Sequence, residues 1–160
     1  MAIRTVTGFL GALAAVVTVL AAVAVVQSRL DAGTAIDLTG PWLVTQTVER
    51  GPNKSWTYQY RVTMEPRGDG FVGKGETVAV NGRPPGPGER TTFDIVRGMQ
   101  NGRSLIAWFF ERNGDRAGRG AVKWRLLDVD RLVGTYATTV SRGTSVAVRE
   151  TSEQAAASVR

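Results

Sequence analysis

The chain has 160 residues and a net charge of +6 from 20 basic and 14 acidic residues, enough length for one compact domain and a separate flanking segment. It contains neither Cys nor His, which excludes disulfides, thiol nucleophiles, a lipidated Cys anchor, imidazole bases and every Ser–His or Cys–His dyad. Seventeen of the 20 basic residues are Arg, but they alternate with acids along the chain, so no nucleic-acid partner is expected.

Residues 8–26 form an apolar run, GFLGALAAVVTVLAAVAVV, with Thr18 as its one polar interruption. At about 1.5 Å per helical residue it just spans a hydrocarbon core of roughly 30 Å. It reads as an uncleaved single-pass anchor over residues 1–28. The competing reading is a signal peptide cleaved near Ala22-Val23-Ala24, which would leave the protein secreted. Arg4 lies on one side of the run, while Arg29 on the other is offset by Asp31. The positive-inside rule then places the barrel on the extracytoplasmic, periplasmic side. Residues 29–37 form a polar linker.

From residue 38 onward the chain divides into eight runs with strand character. The first covers 42–49. The second, 55–65, is the clearest: Trp56, Tyr58, Tyr60, Val62 and Met64 alternate with polar residues over its whole length, the period of a strand with one buried face. Pro66-Arg67-Gly68-Asp69-Gly70 makes a tight turn into 71–80, where Gly73 and Gly75 share a face and predict sharp curvature or a close contact. Residues 81–90 hold three of the six prolines and read as a stiff surface loop without sheet hydrogen bonds of its own. The fourth run, 91–97, ends in a turn at 98–102. The fifth, 104–112, is apolar on both faces through Leu105, Trp108 and Phe110, so one face needs a covering element, a partner or lipid. Runs at 120–127, 132–140 and 144–150 complete the series, and 151–160 reads as a polar tail. Eight consecutive strands joined by short connections predict an all-β fold: an up-and-down antiparallel barrel over 38–150, behind one transmembrane helix.

Leu38-Thr39-Gly40-Pro41-Trp42 has the Leu-x-Gly-x-Trp form that opens the first strand of calycins, the lipocalin and avidin-like barrels. Leu132-Val133-Gly134-Thr135-Tyr136 is a second such element, and Arg149 stands in the last strand where lipocalins carry an Arg over the opening Trp. The domain therefore resembles the calycins. The resemblance implies a small closed barrel, with Gly40, Trp42, Gly134 and Arg149 at its closure, and a binding role. An apolar segment followed by a minimal barrel also resembles the membrane-anchored β-barrel effectors of bacterial antiphage signalling, which bind a cyclic nucleotide.

Aromatic walls with a few polar tips suit a ligand cavity. Trp56, Tyr58, Tyr60, Trp124 and Tyr136 are the candidate walls, and they serve equally well as core filling. Arg61, Gln59, Gln46, Arg125 and Arg83 are the candidate polar groups. Glu76, Asp94 and Glu111 read as carboxylates on outer strand faces, and Asp128-Val129-Asp130 as a polar turn. No catalytic residue, metal or cofactor is expected. The partners expected are a membrane and a small molecule, or a protein docking through Leu105, Trp108 and Phe110 as on an accessory subunit.

Overall fold

The computed structural model describes residues 36–114 and 116–151. The expected membrane segment, most of the linker and nearly all of the tail lie outside them. No helix of the described residues is long and apolar enough to cross a membrane.

Eight strands follow one another: β1 (Gly40–Arg50), β2 (Thr57–Arg67), β3 (Gly70–Val80), β4 (Thr92–Asn101), β5 (Ser104–Asn113), β6 (Arg116–Asp128), β7 (Arg131–Thr138) and β8 (Arg142–Arg149). Each pairs with its neighbours in sequence, and β8 returns to pair antiparallel with β1, closing the barrel. Closure leaves no unpaired sheet edge. The eight-stranded up-and-down barrel expected from the sequence is the fold observed.

Alternation sets which side chains fill the interior. In β2, Tyr60, Val62 and Met64 are buried while Thr63 and Glu65 are exposed. The same two-residue period buries Trp42, Val44, Gln46 and Val48 in β1. Three expectations need correction. The fourth strand continues to Asn101, because a bulge between Ile95 and Arg97 resets the alternation and lets Gly98 pair with Ala107; such a bulge adds one unpaired residue and bends the strand. The sixth strand begins at Arg116, four residues early, since Ala117, Gly118 and Arg119 already pair with Arg112, Glu111 and Phe110. The 81–90 loop does carry sheet-type bonds: Val80 and Arg83 exchange N–H to carbonyl bonds of 2.8 and 3.1 Å. A single 3-10 turn, Pro87–Glu89, follows within it.

The two ends of the barrel differ. At one end Trp42 is fully buried, and its indole Nε1 donates to the Leu38 carbonyl at 2.8 Å. The Arg149 guanidinium lies 4.5 Å from the Trp42 ring centroid, within cation–π range. It also donates to the carbonyls of Thr39 at 2.5 Å and Asp37 at 2.6 Å, and pairs with Asp130 at 3.0 Å. Strand register brings Met64, Phe71, Leu105, Leu126 and Leu132 to this end of the core. Gly40 sits at φ +115°, a conformation L side chains rarely adopt. At Gly134 a Cβ would lie 1.8 Å from the Lys123 carbonyl oxygen, so β6 and β7 approach there only because the side chain is absent.

Asp128 accepts a bond from the Asp130 amide at 3.0 Å, the local geometry of a polar turn. Trp42→Ala should lower the unfolding free energy by about 3–5 kcal/mol, the range for a buried aromatic truncated in a packed core. Urea unfolding followed by far-ultraviolet circular dichroism measures it, and a loss below about 1 kcal/mol would remove Trp42 from the closure.

Candidate functional site

Away from the Trp42 floor the interior side chains become polar and leave space. A cavity of about 370 Å³ opens there. Gln46 of β1, Tyr58 and Tyr60 of β2, Glu111 of β5 and Tyr136 of β7 line its depth. Its rim comes from Asn53 and Trp56 in the β1–β2 connection, Gly88 and Glu89 in the β3–β4 loop, and Arg116 at the start of β6. Asn113 donates to the Gly88 carbonyl at 2.5 Å, tying that loop down beside the opening.

The aromatic groups are held by ordinary packing and by their polar tips. Tyr60 packs on Phe93 at 4.8 Å between centroids, and Phe93 stacks on Phe109 at 4.6 Å. These separations are those of favourable ring pairs. Tyr58 accepts a 2.8 Å hydrogen bond from Asn53 Nδ2 and lies 6.2 Å from Trp56 between ring centroids. Burial pushes the phenols of Tyr60, Tyr58 and Tyr136 up, that of Tyr60 well above its ordinary value, with the nearby Glu111 charge adding to each effect.

Two polar side chains stand out. Glu111 is half-buried, accepts a 3.1 Å hydrogen bond from the Tyr60 hydroxyl, and has no Lys or Arg in an ion pair with it among the described residues. Desolvation raises its carboxyl above the usual value, only partly offset by the Tyr60 bond. Gln46 is 2% exposed and its Nε2 has no hydrogen-bond partner. Buried donors are nearly always satisfied, and an orphaned one in a cavity wall marks a place for a ligand or solvent acceptor.

Four sequence candidates meet here: Trp56, Tyr58, Tyr60 and Tyr136, with Gln46 as the polar group. The others lie elsewhere. Trp124 is buried in the core and donates to Ser145 Oγ at 3.0 Å. Arg61, on the outer face of β2, forms a two-pronged pair with Glu150 at 2.7 and 3.2 Å. Gln59 is also outward, donating to Thr45 at 3.3 Å, and Arg125 is exposed on β6. Arg83 is locked to Glu89 by two 2.7 Å bonds. Glu111 corrects the sequence reading: it points inward. The signal lay in Leu105, Ala107, Phe109 and Glu111 sharing one parity, masked because Ile106, Trp108 and Phe110 make the other parity equally apolar. For the same reason Leu105 is buried inside, while Trp108 and Phe110 are exposed outside beside Val96.

No protein-family model and no curated protein sequence matches the chain. Among solved structures it is similar to a redesigned β-barrel at 18% identity and TM-score 0.54, covering 71% of this chain and 92% of that one. It is also similar to the redesigned β-barrel mFAP1 bound to DFHBI, at 14% identity and TM-score 0.52, covering 71% and 94%. A third, EF1p2_mFAP2b bound to DFHBI, gives 11% identity and TM-score 0.55 over 71% and 94%. At such identities the likeness is one of fold alone, that of a closed β-barrel.

The raised Glu111 carboxyl makes stability depend on pH. Its folded-state value lies above the ordinary 4.5, so between the two values the native protein binds more protons than the unfolded chain. Stability from this group is therefore full below 4.5 and lost as pH rises through the raised value. Urea midpoints of wild type should fall across that window relative to Glu111→Gln, whose own profile lacks this contribution. Parallel profiles would show that Glu111 is solvated in the folded protein.

Proposed function

We propose that the barrel binds a small molecule in the cavity opposite the Trp42 floor and catalyses nothing, and that residues 8–26 tether it to a membrane with the barrel on the extracytoplasmic side. The orphaned Gln46 amide carries the binding reading. A fully packed barrel would have no reason to bury an unsatisfied donor at 2% exposure, whereas a wall awaiting an acceptor would. The cavity supports it with four aromatic side chains around a few convergent polar groups, the usual make-up of a small-ligand site. Proteins of similar fold bound to DFHBI add that the fold is compatible with small-molecule binding.

A cyclic-nucleotide sensor finds less support. Phosphate recognition calls for free Arg forks. Arg61 is committed to Glu150 and Arg83 to Glu89, and Arg125 faces outward. Among the described residues this leaves Arg116 on the rim as the one guanidinium beside a wall that itself carries a carboxylate. The membrane reading draws on the apolar length of residues 8–26.

A mixed set of neutral, cationic and anionic planar fragments, screened against the full-chain protein by amide and side-chain NMR shifts, tests the binding. At least one fragment class should perturb Gln46, Tyr60, Glu111 and Tyr136 together and leave Trp124 in place. Shifts confined to the outer face near Trp108, or none from any class, would overturn the cavity as a site. For the tether, alkaline phosphatase fused to the C-terminus should be active and sediment with membranes; an inactive fusion would reverse the orientation.

A further inference from the structure

Resting on the cavity reading, we propose that the ligand is a small planar cation, an amidinium or guanidinium, that places its N–H groups on Glu111 and carries elsewhere on its frame a hydrogen-bond acceptor for Gln46. Two independent observations converge on it. Glu111 offers an acceptor-only carboxylate when ionised, with about four lone-pair positions, and the protein supplies a single donor to it, the Tyr60 hydroxyl at 3.1 Å. Gln46, on a different strand of the same cavity, offers an N–H donor that nothing accepts. An acceptor on one side and a donor on the other define a ligand with the reverse pattern.

The charge of the ligand follows from what the cavity lacks. A carboxylate held away from water is stabilised by a paired cation or becomes neutral. Among the described residues no Lys or Arg forms an ion pair with Glu111: Arg83 is bound to Glu89, and Arg116 lines the rim without pairing to Glu111. Glu49, Glu89 and Glu111 all act on the tyrosines at this end of the barrel. With Glu89 already paired to Arg83, the Glu111 carboxylate inside the wall favours a cation there, against the opposing charge of Arg116 at the rim. The faces of Trp56, Tyr58, Tyr60 and Tyr136 add the electron-rich walls on which a flat cation rests. The volume of about 370 Å³ limits the guest to a small molecule, near the lower end of ordinary ligand pockets of roughly 300–1,000 Å³.

Benzamidine and benzoate have nearly the same shape and opposite charge, so they separate the charge requirement at Glu111 from simple fit; 4-methoxybenzamidine adds the acceptor that protonated benzamidine lacks and should bind more tightly than benzamidine through Gln46. In isothermal titration on the full-chain protein, benzamidine should bind and benzoate should show no heat at the same concentrations. Glu111→Gln keeps an acceptor for Tyr60 but removes the charge, and should weaken benzamidine by roughly tenfold or more, the scale of a charged hydrogen bond. Benzoate binding as tightly as benzamidine, or benzamidine unaffected by Glu111→Gln, overturns the cation and leaves the cavity reading intact. Binding of neither probe while neutral fragments still shift Gln46 does the same. Should Glu111→Gln fail to fold, the wild-type contrast between the two probes decides alone.

Discussion

Everything in this barrel depends on the meeting of its first and last strands around Trp42. A sheet of eight strands can be rolled closed in several registers, and one-residue slips would exchange the interior and exterior faces of a strand. Trp42 opposite Arg149 removes that freedom. The indole is enclosed and hydrogen-bonded to Leu38, while the guanidinium covers its ring and binds the carbonyls of Thr39 and Asp37. A single side chain from the last strand thus satisfies the backbone that leads into the first. Asp130, from the β6–β7 turn, pairs with the same guanidinium and brings a third segment into the closure.

With one end closed by packing, the other is free to be incomplete. Around Trp42 the interior is filled by large apolar side chains whose burial is favourable at about 25 cal/mol per Å². Toward the opposite opening the same strands place Gln46, Thr77, Glu111 and Thr138, none of which gains from burial in that way. A raised carboxyl and an unpartnered amide are local losses of stability. Native proteins carry such losses where a site requires them, and here the closed end supplies the compensating stability.

Most of the architecture was legible from period-two patterning and from turn residues. β2 could be read almost residue by residue, because each apolar position faces inward and each polar one faces out. The Leu-x-Gly-x-Trp opening and the late Arg149 mark the closure in the sequence itself, whereas Gly134 serves the close approach of β6 and β7. Legibility failed where a strand had no contrast. β5 is apolar on both faces, so parity alone did not reveal that Glu111 belongs with Leu105 and Phe109, or that Trp108 and Phe110 face outward. The arginines misled for a related reason: chemical suitability for an anion does not show whether a side chain is already occupied by Glu150 or Glu89.

The glycines of β6 join the two themes. The sequence pattern starts the sixth run at Gly120 and leaves Gly118 outside it, because glycine is depleted in strands. Gly118 pairs with Glu111 across the sheet as Gly120 does with Phe109. A Cβ at Gly120 would lie 2.5 Å from the Phe109 ring, and one at Gly118 would stand 3.8 Å from Glu111 Oε2. The contact at Gly118 is an ordinary one, whereas the missing side chain at Gly120 is where Phe109 finds room to stack on Phe93. A residue that prefers strands would have driven its side chain into that ring. The glycines that obscure the start of β6 in the sequence are thus part of how β6 packs on β5.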